Sequence, residues 1–238
     1  RNRGVQEASG DYVAFIDDDA KAAPNWLETA MAIVNSVDFQ LDCLGGPYHP
    51  WYVQEKPDWF LDKYEIRGFG NEAKYLNMKE NLSGSNMIWY RQSLLEVGCF
   101  DVNLGVVGDQ LKLGEETQAF EKLWNIKGDA KVFFSPNMII YHLVPNHKMK
   151  VSYRLKRKFA QGQYRAFTRP FDGVKKIWAV IKSFILVIKT MLRFVLKIFS
   201  HSKWQNWVVE DGSIVAFNLG MFLRYLGIEP KNIQDRSL

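Results

Sequence analysis

The chain has 238 residues, 47% hydrophobic, 24% charged and 14% aromatic, with a formal net charge of +5 and a pI of about 9.0. That length and apolar content exclude a disordered chain and suffice for one large domain, or one domain with an appendage. Two cysteines, Cys43 and Cys99, are too few for a disulfide framework in a chain this long, so reduced thiols are expected. The positive charge is uneven. Residues 147–203 are rich in Lys and Arg while the acids gather in the front half, which points to an anionic partner for the back half. No signal-peptide pattern, internal repeat or metal-type Cys/His spacing is visible.

Residues 1–9 read as the end of a helix, with Gly10 as its stop. The aromatic and β-branched run over 12–16 predicts a buried strand that closes on Asp17, Asp18 and Asp19. Three like charges at a strand end repel one another unless a cation sits among them. A divalent ion is the simplest candidate, because hard cations prefer carboxylate oxygens. On a continued strand Asp17 and Asp19 share one face and Asp18 takes the other. The alternative is a solvated acidic turn before the next helix. That helix is expected from Pro24 to about Val34, with Trp26, Leu27, Ala30, Met31 and Val34 on one face and Trp26 as a packing residue.

Residues 39–46 predict a strand ending at Gly45, Gly46 and Pro47, where the backbone either passes close to something or simply turns. Residues 48–80 read as a long aromatic loop, most of whose rings are expected to pack rather than to meet a ligand. Small polar residues over 81–86 lead into an apolar strand, and Arg91 begins a helix. Gly114 opens another helix, with Ala119, Phe120 and Leu123 on its buried face. Its first turn carries Glu115 and Glu116. The helix dipole accounts comfortably for one acid there. A turn at Gly128, a short strand and Pro136 follow, then an apolar strand that ends in His142, a position where a lone His is usually structural.

Several of these segments together resemble the middle of a family 2, GT-A type glycosyltransferase. They are Arg1-Asn2-Arg3-Gly4, Glu7-Ala8-Ser9-Gly10, the aspartate run and Pro24-Asn25-Trp26-Leu27, which follow N-x-G, A-x-G-x-Y-x-x-F-x-D-x-D and P-x-W-L. Residues 81–91 resemble that family's G-x-N-x-x-x-R segment. Residues 95–101 resemble its V-G-G-F-D turn, with Cys99 in place of the second glycine. The likeness is strongest to bacterial cell-surface polysaccharide enzymes and covers roughly residues 1–165. It implies an α/β fold of GT-A type, with a mostly parallel sheet and helices on both faces, in residues 1–165, and a helical appendage in 166–238. The first strands of that fold are expected to lie before Arg1, so the sequence is read as truncated at its start. The resemblance further implies a nucleotide-sugar donor, Mg2+ or Mn2+, and inversion at the anomeric carbon. On the same match Asp17, Asp19 and His142 hold the metal, with His147 a weaker choice than His142. Glu116 is the general base and Glu115 its neighbour. Asp17, Asp18, Gly84, Ser85 and Asn86 face donor and acceptor. The family more often has Asp where Glu116 stands.

Residues 148–169 carry eight Lys and Arg, from Lys148 to Arg169, among aromatic residues. The resembled family has a basic helix here, which Gly162 fits, and a cation on it could neutralise a diphosphate. No nucleic-acid motif appears, so nucleic acid is not expected as a partner. Residues 174–199 form a long apolar run interrupted by Lys182, Lys189, Arg193 and Lys197. At 100° per residue these four cluster on one face with Lys175. Four cations at bilayer depth are costly, whereas a helix lying in an anionic interface gains from them. Packing on the chain's own domain is the rival. A second apolar segment, 213–227, is too short to span once Arg224 is counted. The expectation is a helical pair peripheral on the cytoplasmic face of the cell membrane, and an acceptor that is a lipid-linked glycan or a polysaccharide. Two other classes stay open: a metal-dependent nucleotidyl or phosphoryl transferase, and a non-catalytic membrane-associated module.

Overall fold

The structure, a computed structural model, describes residues 1–228 except 103, 105, 108–109, 112–113 and 169. Arg169 of the basic stretch and residues 229–238 therefore lie outside the described residues. Two compact units are present. One comprises Arg1–Val53, Leu61–Val102 and Gly114–Val144, and the other Gln54–Phe60, Asn103–Leu113 and Pro145–Leu238.

In chain order, α1 (Asn2–Glu7) is followed by β1 (Tyr12–Phe15). The strand stops before the aspartates. The chain turns through them instead, the Asp17 carbonyl accepting from the Ala20 amide at 3.1 Å, and β2 (Ala20–Ala22) begins. In α2 (Trp26–Asn35), Trp26 and Ala30 are buried, but Leu27 is 60% and Met31 50% exposed, so the buried stripe is narrower than the periodicity predicts. β3 (Cys43–Gly45) is the short core of the expected 39–46 strand. β4 (Tyr48–Trp51) falls in the expected loop. It contains Pro50, which cannot donate to a ladder, and it lies at a sheet edge where that is tolerated. β5 (Lys74–Tyr75), β6 (Met87–Tyr90) and α3 (Arg91–Glu96) follow. β7 (Val106–Val107) pairs with β8 (Gln110–Leu111). α4 (Glu115–Lys127) starts after Gly114, whose φ of 107° is left-handed and suits glycine. β9 (Val132–Phe134) and β10 (Ile140–Leu143) complete the first unit.

The larger sheet has the order β1-β6-β3-β9-β5, and the smaller has β2-β10-β4. Pairing is parallel at β3/β9 and β4/β10. β1, β3 and β9 run in one direction, and β6 runs opposite to both β1 and β3. Alternate residues of the larger sheet feed two cores. Met87, Trp89 and Phe134 pack with Leu94 of α3 and with Phe120 and Leu123 of α4, whereas Leu44 and Ile88 pack with Trp26 and Ala30 of α2. Helices thus cover both faces. Each fully buried Leu or Phe is worth about 1.5–3 kcal/mol, so these few side chains hold the helices to the sheet. One buried polar centre ties the same elements. The Asp42 carboxylate accepts from Ser93 Oγ at 2.6 Å, Lys127 Nζ at 2.6 Å and the Lys131 amide at 2.7 Å.

The second unit holds the β7/β8 pair and is otherwise helical: α5 (Val151–Phe167), α6 (Gly173–Leu196), α7 (Trp204–Trp207), a π-helical stretch (Val208–Gly212) and α8 (Ser213–Tyr225). α5 packs on α8 within this unit, although the sequence grouped most of its residues with the catalytic part. The two helices cross where glycine meets backbone. A Cβ on Gly162 would lie 1.9 Å from the Phe217 carbonyl oxygen, and one on Gly220 2.2 Å from that of Phe159. α6 also packs on α8, with the Phe184 and Phe222 rings 5.5 Å apart. Among the described residues no helix is long and apolar enough to cross a membrane.

Candidate active site

The site grows from the register of β10. This strand pairs antiparallel with β2 so that His142 faces Ala20, the residue after Asp19. The imidazole thereby reaches the aspartate turn. His142 Nε2 lies 3.3 Å from Asp19 Oδ1 and 3.8 Å from Asp17 Oδ2. One donor atom from each of the three residues falls within 4.8 Å of the others, a grouping that could hold a metal ion. Two details suit the ring to that task. His142 Nδ1 is 3.0 Å from the Leu143 carbonyl oxygen, a contact that orients the ring so that Nε2 is the nitrogen facing the carboxylates. The Tyr48 ring packs 5.3 Å from the imidazole at 34°, and Tyr48 Oη accepts from Arg67 Nε at 2.8 Å. Two carboxylate oxygens and an imidazole nitrogen fit a divalent cation such as Mn2+ or Mg2+.

Arg1 joins this group to the acids of α4. Its Nη2 donates to Asp17 Oδ1 at 3.0 Å, and its Nη1 donates to Glu116 Oε1 at 3.0 Å and to Glu115 Oε1. Sequence reasoning read Arg1 only as part of a motif and assigned it no contact. Gly84 backs onto the same place. A Cβ there would stand 2.1 Å from Glu116 Oε1 and 2.8 Å from Arg1 Nη1, so the absence of a side chain is what admits the carboxylate. The neighbouring His142 imidazole holds the Asp17 carboxyl below its ordinary pKa, against burial and with help from Arg1. Burial, then the charge of Glu116, pushes the Glu115 carboxyl up, and Arg1 moderates this.

Asp17, Asp19, His142, Glu115, Glu116 and Gly84 are therefore brought together. Other expected residues stand apart. Asp18 is exposed and outside the metal-competent group. Asn86 is buried and its amide is spent in the fold. Its Nδ2 donates to the carbonyls of Pro47 at 2.8 Å and Met138 at 2.6 Å, while its Oδ1 accepts from Trp26 Nε1 at 2.9 Å. Ser85 is buried, with its hydroxyl 3.3 Å from that of Ser83. His147, in the second unit, packs against Tyr153 at 5.3 Å. Gly45 and Gly46 are close to the backbone of Asn86 and Met138, so their near approach is internal packing.

Comparison with known proteins points to one family. Residues 1–98 match the family model for glycosyl transferase family 2. The chain is 30% identical over 170 residues to a glucosyl-dolichyl phosphate glucuronosyltransferase of Haloferax volcanii, covering 68% of this chain and 52% of that protein. It is 24% identical over 194 residues to the succinoglycan biosynthesis protein ExoM of Rhizobium meliloti, covering 76% of this chain and 56% of that protein. The chain thus spans about half the length of the curated relatives it matches. Among solved structures, the mannosyltransferase PcManGT of Pyrobaculum calidifontis, in complex with GDP-Man and Mn2+, superposes with a TM-score of 0.52. That match has 13% identity and covers 92% of this chain and 64% of that one, a likeness of fold.

Proposed function

The chain belongs to glycosyl transferase family 2, and we propose that its first unit moves a sugar from a nucleotide-diphosphate donor to an acceptor hydroxyl with inversion. The observation that carries this reading is the meeting of two acidic groups at one guanidinium. Asp17, with Asp19 and His142, stands on one side of Arg1, and Glu115 and Glu116 stand on the other. Asp17, Asp19 and His142 would hold Mn2+ or Mg2+, which when bound supplies positive charge for the diphosphate. Glu116 is placed to take the proton of the acceptor hydroxyl as that oxygen attacks the anomeric carbon and the nucleoside diphosphate departs. Arg1 fixes the Glu116 carboxylate and offers a second cation beside the leaving group. Glu115 shares Arg1 and lies where the acceptor would approach. Gly84 leaves room for the Glu116 carboxylate beside Arg1. The relatives, a glucosyl-dolichyl phosphate glucuronosyltransferase and a succinoglycan biosynthesis protein, favour an acceptor that is a lipid-linked glycan or a polysaccharide.

The test is replacement in the protein as its gene encodes it. Asp19→Asn and Glu116→Gln each abolish release of nucleoside diphosphate from a UDP- or GDP-sugar in the presence of Mn2+, while circular dichroism stays unchanged. Full turnover in either variant overturns the proposal. Release of pyrophosphate instead assigns the same carboxylates to nucleotidyl transfer.

A further inference from the structure

α6 has three sides, and among the described residues only one of them carries the buried side chains of the helix. Ser183 and Val187 are buried, and with Val180, Thr190 and Phe194 they mark a single stripe turned toward the rest of the unit. At 100° per residue, Ile177, Ile181, Ile188, Leu192 and Val195 fall together on a second arc, turned away from that stripe. All five are exposed, three of them by more than half: Ile177 59%, Leu192 61% and Val195 63%. Lys175, Lys182 and Lys189 recur every seven residues along a third, exposed side that borders the apolar arc. Arg193 and Lys197 extend this side but turn inward, lying 3.4 Å and 3.3 Å from the buried Asp211 carboxylate. That contact pins the end of the helix to the π-helical stretch before α8.

An apolar arc of this length is far more than scattered exposed side chains, and a soluble surface rarely leaves one open. The helix is 24 residues, about 36 Å at 1.5 Å per residue, yet it does not qualify as a span. The cations explain why it should lie flat. Lys175, Lys182 and Lys189 would be expensive at bilayer depth. At the boundary they can stay with lipid headgroups while the neighbouring arc enters the acyl region. We propose that the exposed side of α6 docks parallel to an anionic bilayer, the Ile177–Val195 arc inserted and the lysine side on the headgroups. The partner is a lipid surface with negative headgroups. A second copy of the chain fits less well, because a symmetric pairing of two such helices would set like lysine rows beside each other.

This docking stands apart from the sugar-transfer reading, because its readout needs neither donor nor metal. The full chain is floated with vesicles of phosphatidylcholine alone, and of phosphatidylcholine with about one third phosphatidylglycerol. The expected result is capture by the anionic vesicles and little by the neutral ones, weakening as salt is raised. Lys182→Glu and Lys189→Glu each cut anionic binding by about fivefold or more. Leu192→Ser combined with Val195→Ser cuts it by about tenfold or more on both vesicle types. All four positions are exposed, so the variants keep their unfolding temperature, which is checked alongside. Equal binding by wild type and variants overturns the proposal, as does no binding by wild type. A stable dimer in sedimentation that the Leu192→Ser, Val195→Ser variant disperses, with no vesicle capture, assigns the face to a second copy and also overturns it.

Discussion

Gly84→Ala separates the chemistry from the fold. The new methyl would sit 2.1 Å from Glu116 Oε1 and 2.9 Å from Glu116 Cδ, far inside contact distance. With Arg1 Nη1 at 2.8 Å, all three obstructing atoms belong to the mobile ends of long side chains, so the carboxylate and guanidinium swing away rather than the backbone. The move costs one Arg1–Glu116 hydrogen bond between partly exposed groups and a rotamer change, together about 1–2 kcal/mol. Replacing glycine returns about 0.4–1 kcal/mol by restricting the unfolded chain, since Gly84 is not at positive φ. The net change in stability is about 1 kcal/mol or less. For transfer the effect is larger. A base displaced by about 1 Å loses on the order of 100-fold, and general-base catalysis as a whole is worth about 100- to 10,000-fold. The expected outcome is an unfolding temperature within a few degrees of wild type and kcat down about 100-fold, read as nucleoside diphosphate release. A folded Gly84→Ala protein with full kcat would show that Glu116 is not the base.

Other residues give independent readings. Tyr48→Leu removes the ring beside His142 and is expected to weaken Mn2+ binding by about 10- to 100-fold in calorimetry, whereas Tyr48→Phe, losing only the Arg67 contact, stays near wild type. The raised Glu115 carboxyl means that ionising it costs folding free energy above the ordinary carboxylate range and nothing below it. Glu115→Gln should therefore raise the unfolding temperature near neutral pH and not in acid, a difference that thermal scans at the two pH values reveal. Gly162→Ala drives a methyl to within 1.9 Å of the Phe217 carbonyl, where backbone must give way. A loss of about 1–3 kcal/mol in chemical denaturation is expected.

How much could be read beforehand depends on whether the cause was local. α6 was legible because its period of 3.6 and its lysines lie within one segment. α4 was legible for the same reason, down to Ala119, Phe120 and Leu123 on its buried face. Asp17 and Asp19 were legible as partners for a cation, but the expected geometry was a strand and the observed one is a turn. What joins them is the register of β10, set about 120 residues later in the chain. β4 was hidden by Pro50 and by ring-rich neighbours that mimic a loop. Asn86 shows the limit most sharply. A small polar residue beside Gly84 looks like a ligand-binding amide, and only the tertiary fold shows that Trp26, Pro47 and Met138 consume its hydrogen bonds.

Arg1 was invisible for a related reason, since an arginine ahead of a short helix is by default a solvated one. In the fold its guanidinium is hydrogen-bonded to Asp17, Glu115 and Glu116. Asp19 adds a fourth carboxylate through His142. Among the described contacts these four carboxylates outnumber the guanidinium that joins them. A diphosphate entering that field unaccompanied would be repelled. On the proposed reading, a divalent cation held by Asp17, Asp19 and His142 would offset that charge for the diphosphate. Arg1, held between the two acidic groups, would keep the Glu116 carboxylate in place and offer a second cation beside the diphosphate. On that account Arg1→Lys, a point charge in place of a fork with three carboxylate partners, keeps the fold but loses the bidentate grip. Its donor KM should rise with kcat falling alongside. An Arg1→Lys enzyme with unchanged KM and kcat would reduce Arg1 to a surface ion pair.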